Sequence, residues 1–228
     1  KQDYMAYLAS RPKQWELDAI ELMIDLCRET GCPVHIVHLS CGDAIPMLKA
    51  ARDEGLPITV ETCAHYLTLH AEQIQAGDTR FKCAPPIREQ NNADQLWQGL
   101  EDGTIDCIVS DHSPCTPELK KLELGDLDEA WGGISSLQFG LSLIWTEAQK
   151  RGFELLDIAR WMCHQTTIHL GLHHQKGSIQ PGQDADFVAF NPDERLTISS
   201  SMNRHRHKVT PYDERQVQGV VHQTILRW

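Results

Sequence analysis

No two of the eight cysteines, at positions 27, 32, 41, 63, 83, 107, 115 and 163, stand in C-x-x-C spacing, so a structural zinc ribbon is excluded. No apolar run is long enough to span a bilayer, and neither a signal peptide nor a lipidation motif is legible. Basic charge is scarce: 21 Lys and Arg stand against 32 Asp and Glu, a formal net charge of −11. A nucleic acid or an acidic membrane needs the opposite sign of surface, so neither is an expected partner. The basic runs Arg204-His205-Arg206-His207-Lys208 and Lys120-Lys121 are short and read as solvated faces. There is no internal repeat and no low-complexity tract. What remains is 41% hydrophobic and 23% charged across 228 residues, the composition of a globular protein with a core. Several cysteines sit inside apolar strands, where Cys behaves as a small buried hydrophobe. That suits a reducing compartment, and a cytoplasmic location is expected. The chain opens at Lys1 in helix-forming sequence and closes at Ile225-Leu226-Arg227-Trp228 in strand-like sequence, which reads as a piece of a longer protein.

Residues 1–175 alternate between helix and strand. Apolar positions Leu17, Ile20, Met23, Ile24 and Cys27 repeat with a helical period over Glu16–Thr30, and Gly31 and Pro33 stop the helix. Val34–Leu39 reads as a buried strand, Gly42–Glu54 as a helix, Ile58–Thr62 as a strand, Ala93–Leu100 as a helix and Ile105–Ser110 as a third strand. A long loop, Pro114–Ala130, leads to Trp131-Gly132-Gly133, to a helix over Ile134–Lys150 and to another over Glu154–Leu170. Apolar strands alternating with helices predict parallel strands covered by helices, an α/β class. Three strands cannot close a barrel, so the others are expected from upstream sequence. From residue 176 to 228 the pattern changes to turns, a Pro181-Gly182 break, a short strand ending near Phe190 and a second over Gln216–Leu226, a small β element.

The most informative segment is Ile105-Asp106-Cys107-Ile108-Val109-Ser110-Asp111-His112-Ser113-Pro114-Cys115. An apolar strand ends abruptly in an acid, an imidazole and a hydroxyl. In barrel enzymes reactive side chains stand at the C-terminal ends of parallel strands. An aspartate there can bind a metal and accept a proton; the plainer alternative is an Asp-His turn capping the next helix. In the first strand His35 and His38 have opposite parity, so they face opposite sides of the sheet. His38, nearer the functional rim, is the ligand candidate, and His35 is expected to face the covering helices. An imidazole and a carboxylate are both donors that zinc accepts.

Five segments occur in order: His35-Ile36-Val37-His38-Leu39-Ser40, Glu61-Thr62-Cys63-Ala64-His65-Tyr66, Lys82-Cys83-Ala84-Pro85-Pro86-Ile87-Arg88, Ser110-Asp111-His112-Ser113-Pro114-Cys115 and Trp131-Gly132-Gly133. The set resembles the cyclic amidohydrolases, a family that includes allantoinases, dihydropyrimidinases and dihydroorotases. Cys83 beside the paired prolines, Cys115 after Ser113-Pro114, and Trp131 before the paired glycines resemble the allantoinase branch. Dihydroorotases are expected to carry a histidine at the place of Cys115, and dihydropyrimidinases an Asn at the place of Trp131. Ala64 and Ala84 depart from the proline and serine common there. The resemblance implies the C-terminal part of a (β/α)8 barrel over 1–175 and part of a small β-sandwich over 176–228. It further implies a homo-oligomer, two zinc ions in the complete protein, and opening of a cyclic amide, allantoin to allantoate. Other cyclic-amide substrates and a non-catalytic scaffold are the alternatives. His38 would bind one metal; Asp111 would bind the other and act as general base. Backbone around Cys83, Ala84 and Trp131, with the Ser113 region, would hold the small-molecule ring, and His65 would pack behind the ligands. The family's His-x-His pair, bridging carboxylated lysine and further histidine have no counterpart here, and His112, His164, His169, His173 and His174 do not replace them.

Overall fold

The computed structural model describes residues 1–227; the strand-like reading of Trp228 lies outside them. Helix α1 (Tyr4–Ala9) begins where the Asp3 carboxylate accepts from the Met5 N–H. Helix α2 (Lys13–Thr30) buries Ile20, Ile24 and Cys27 along one face and ends at Gly31, whose φ of 68° few other residues adopt cheaply. Strand β1 (Val34–Ile36), helix α3 (Ile45–Asp53), strand β2 (Ile58–Cys63), a short helix α4 (Ala64–Thr68), helix α5 (Gln90–Glu101) and strand β3 (Cys107–Val109) follow. Helix α6 (Gly140–Lys150) leads to α7 (Leu155–Ala159), which runs through a π turn at Arg160–His164 into α8 (Gln165–His169).

The three strands are parallel in the order β1-β2-β3, paired His35 to Thr59 and Glu61 to Cys107. Asp106 fixes the second pairing. Its N–H donates to the Val60 carbonyl at 2.8 Å, and its carboxylate accepts from the Val60 N–H and from Arg52, each at 2.7 Å. Ile36, Ile58, Val60 and Ile108 bury one face of the sheet. Behind it Trp97, Phe153 and Trp161 pack edge-on and stacked, with centroids 5.1–6.1 Å apart, a geometry that adds about 0.5–1.5 kcal/mol per pair beyond area burial.

Most expected boundaries shift by a few residues, the strand expected to end near Phe190 runs on to Thr197, and two shifts bear on the site. The first strand stops at Ile36, short of His38. The helix expected from Ile134 begins only at Gly140, because 134–137 is drawn to the end of β3. Ile134 bridges to His112, and His112 Nδ1 accepts the N–H groups of Ser136 and Leu137, each at 3.2 Å. Ile134 is extended in this bridge, so the helix can begin only after it.

From residue 187 an antiparallel ribbon forms, β4 (Phe187–Thr197) against β5 (Gln216–Ile225). It is one two-stranded sheet, not a sandwich, among the described residues. It seats on α6: Trp145 Nε1 donates to the Pro192 carbonyl at 2.9 Å, and Thr146 Oγ1 accepts from the Gln218 N–H at 2.8 Å.

Candidate active site

Strands β2 and β3 end side by side, and the residues beyond them converge. Cys63, His65 and Asp111 each present one ligand atom, and these atoms all lie within 4.8 Å of one another. His65 is fully buried, and neither ring nitrogen has a hydrogen-bond partner. A buried polar group left unpaired costs about 1–3 kcal/mol, so such an orphan is rare and invites an ion or ligand. Burial, with a further contribution from the His38 charge, lowers the His65 pKa to about 3. The imidazole is therefore neutral and keeps a lone pair to donate. Burial pushes the Cys63 thiol well up, and the Asp111 charge pushes in the same direction. Imidazole, thiol and carboxylate together form a donor set that fits zinc. The sequence suggests only packing for His65; the signal for more is its place two residues past the end of β2, in the first turn of α4.

The two residues read as metal ligands share a backbone signature. His38 has φ 40° and Asp111 φ 42°, a left-handed conformation that costs a non-glycine residue about 1–3 kcal/mol and clusters at functional sites. His38 is half-buried, two residues beyond β1 and on one wall with Ala84 and Pro85. It belongs to the neighbourhood of His65 but not to the three-residue donor cluster. The turn after it is pinned by Glu16, whose carboxylate accepts from the Ser40 N–H at 2.7 Å, the Ser40 hydroxyl at 2.6 Å and the Cys41 N–H at 2.9 Å. Arg88, 5% exposed, pairs with Glu16 at 3.1 Å and donates to Ser40 Oγ at 3.1 Å. Asn92 completes the anchor, donating to the Ser40 carbonyl at 2.7 Å and accepting from the Gly42 N–H at 2.9 Å.

The expected orientation of His35 is overturned. It shares a sheet face with Thr59 and Glu61, bonding Thr59 Oγ1 at 2.7 Å through Nδ1 and placing Nε2 3.1 Å from the Glu61 carboxylate, outside hydrogen-bonding geometry, away from the packed Ile36–Ile58–Val60 face. Its ring stacks on His169 of α8 at 3.7 Å. Alternation could not be counted from His35 to His38 because β1 ends between them and the chain turns left-handed.

The residues read as substrate contacts come together around Asp111. The Ser113 hydroxyl donates to the Asp111 carbonyl at 3.1 Å, and the Ser113 carbonyl accepts from Trp131 Nε1 at 3.2 Å. Gly133 N–H donates to the Lys82 carbonyl at 3.0 Å, which draws the 131–133 loop onto the 82–84 loop. Ala84 and Trp131 are exposed. Cys83 is sealed: its carbonyl accepts from the Tyr7 hydroxyl at 2.8 Å, and burial pushes its thiol up to about 12. The open surface of this loop therefore belongs to Ala84. One further reading is corrected. Lys120 was expected on a solvated face, yet it is 2% exposed, with its ammonium directed at backbone carbonyls; Arg204, Arg206 and Lys208 are exposed as expected. No helix among the described residues is long and apolar enough to cross a membrane.

Comparison with known proteins places this geometry in context. The amidohydrolase family model matches residues 9–227. An allantoinase of Saccharomyces cerevisiae is 48% identical over 228 residues, covering 99% of this chain and 49% of the relative. An allantoinase of Streptomyces avermitilis is 49% identical over 224 residues, covering 98% of this chain and 49% of the relative. The solved structure of an L-hydantoinase (dihydropyrimidinase) from Arthrobacter aurescens superposes with a TM-score of 0.92 at 30% identity, covering all of this chain and 51% of that one. The chain thus spans about half the length of the relatives it matches.

Proposed function

The chain belongs to the amidohydrolase family, and from that premise we propose that it forms the later half of a zinc-dependent hydrolase that opens a cyclic amide, allantoin to allantoate. The observation that carries this reading is Asp111 at the end of β3, within 4.8 Å of Cys63 and of a buried His65 with no hydrogen-bond partner. On this reading the three parallel strands and their helices are the last units of a (β/α)8 barrel, and the β4–β5 ribbon is a segment of a small β-sandwich. A cytoplasmic homo-oligomer is part of the same proposal.

His38 and Asp111 would hold zinc, with His65 as the neighbouring donor. When bound, zinc supplies a water of lowered pKa and polarises the scissile carbonyl. Asp111 takes the proton of the attacking water at a carboxylate oxygen as the new C–O bond forms. It returns that proton to the ring nitrogen as the C–N bond breaks, so the carboxylate is regenerated. Ala84, Ser113 and Trp131, on loops tied to one another, would orient the imide and ureido groups of the ring.

The allantoinase names at 48% and 49% identity, against 30% for the hydantoinase, favour allantoin over hydantoin or dihydrouracil. Cys115, in place of the expected histidine, disfavours dihydroorotate. Assaying the zinc-loaded full-length protein on allantoin, hydantoin, dihydrouracil and dihydroorotate tests the assignment. Preferred turnover of allantoin is expected. Preference for another ring would move the substrate, and no turnover of any would favour the non-catalytic scaffold.

A further inference from the structure

Lys120, 2% exposed, is a buried cation beside the candidate site that the hydrolytic reading leaves without a role; the other one on these loops, Lys82, donates outward to the Asp128 carbonyl at 3.1 Å. Its ammonium donates to three backbone carbonyls: Lys82 at 2.8 Å, Trp131 at 3.0 Å and Gly133 at 2.5 Å. These carbonyls belong to the two loops that carry Ala84 and Trp131. The Lys82 carbonyl also accepts the Gly133 N–H, so the ammonium completes a junction that the loops begin by themselves. An ammonium has three protons and no acceptor, so each proton is matched to one carbonyl. Charge-assisted hydrogen bonds in a dry setting are the stronger kind.

We infer that Lys120 is a positioning residue: its ammonium clamps the 82–84 loop to the 131–133 loop and so fixes the backbone that receives the cyclic amide. This inference rests on the cyclic-amide reading. It requires nothing of the metal ligands, because Lys120 touches neither His38, His65 nor Asp111 in its hydrogen bonding.

The clamp is sensitive to pH. Burial is the main reason that the Lys120 pKa falls to about 8; Cys115, Cys83 and Asp78 raise it, and Lys82 lowers it. Arg80 lines the same small cavity and adds a second positive neighbour. Below about pH 8 the ammonium holds all three carbonyls. As pH rises through that value the proton, and one of the three bonds, is lost, and the loops loosen.

The test uses the full-length, zinc-loaded protein and allantoin as the probe. From about pH 6.5 to about pH 9.5, wild-type KM should rise with an inflection near pH 8, while zinc content stays constant. Lys120→Met keeps the length of the side chain and removes its charge. It should raise KM about tenfold at neutral pH, lower kcat by less, retain zinc and abolish the inflection. Hydrogen exchange needs no turnover: amides of both the 82–84 and 131–133 segments should exchange faster in Lys120→Met. If Lys120→Met does not fold, the wild-type pH profile remains decisive, together with wild-type protection factors above and below pH 8, corrected for base-catalysed intrinsic exchange: those of the 82–84 and 131–133 segments should fall relative to the rest of the protein. A flat KM across the range, or unaltered exchange in both segments, would overturn the clamp. Absence of turnover by the wild type would instead defeat the cyclic-amide reading, with the exchange result still deciding whether Lys120 joins the loops.

Discussion

At the scale of single residues, the site depends on three imidazoles doing different work. His65 has no hydrogen-bond partner among the described residues, His38 sits on a left-handed turn, and His35 is bonded to Thr59 and lies 3.1 Å from the Glu61 carboxylate. In the full-length protein, His38→Ala should lower zinc occupancy, with turnover partly restored at high zinc. His35→Ala should keep zinc and lose about 1–3 kcal/mol of stability, because Glu61 is then half-buried without its partner. Metal analysis and denaturant melts on both variants check this. Zinc loss in His35→Ala with full occupancy in His38→Ala would transfer the ligand role from one to the other. The place of Asp111 just past the end of β3 was legible in the sequence because an acid abruptly ends an apolar strand. His35 was not, since its orientation depends on where β1 stops, and one residue either way inverts the alternation.

At the scale of elements, the loops around Asp111 are held by close backbone approach. A Cβ on Gly133 would stand 2.3 Å from the Ser113 carbonyl oxygen and 2.6 Å from its hydroxyl, with backbone on one side that cannot yield. Gly133→Ala should therefore separate the 131–133 loop from Ser113, raise KM for the cyclic amide and lower stability by about 1–3 kcal/mol. Gly140→Ala is the control. It opens α6 with nothing within 4 Å of the added Cβ, so it should be neutral or stabilise by up to about 1 kcal/mol. Comparable losses in the two variants, read by thermal melts and KM, would contradict the packing described here. The α2, α3, α5 and β2 elements were legible from periodicity and from glycine punctuation, with boundaries moved by a few residues. The 134–139 loop was not, because its apolar pattern is helical while Ile134 is held extended by its bridge to His112, a partner 22 residues away in sequence. Lys120 escaped notice for a related reason: two adjacent lysines look solvated until three carbonyls from two distant loops are brought to one of them.

At the scale of the whole molecule, β1 and β3 are the edge strands of the three-stranded sheet among the described residues, and α2 exposes an apolar stripe of Trp15, Leu22 and Leu26. The relatives are twice as long, so activity belongs to the full-length protein and is measured there. Within it, on the proposed reading, this half would supply the acid–base carboxylate and the substrate loops. The −11 charge and the absence of an apolar span were read from composition alone, whereas the convergence of Cys63, His65 and Asp111 needed the fold, since they come from two strands 44 or more residues apart. The central claim is that Asp111 both helps hold zinc and moves the proton. Its most direct test is the turnover of allantoin by the zinc-loaded full-length protein and by its Asp111→Asn variant, with zinc content measured on both. The account predicts a loss of at least about 10²–10⁴-fold in the variant, together with reduced zinc and an unchanged fold. Near-normal turnover by Asp111→Asn would contradict it.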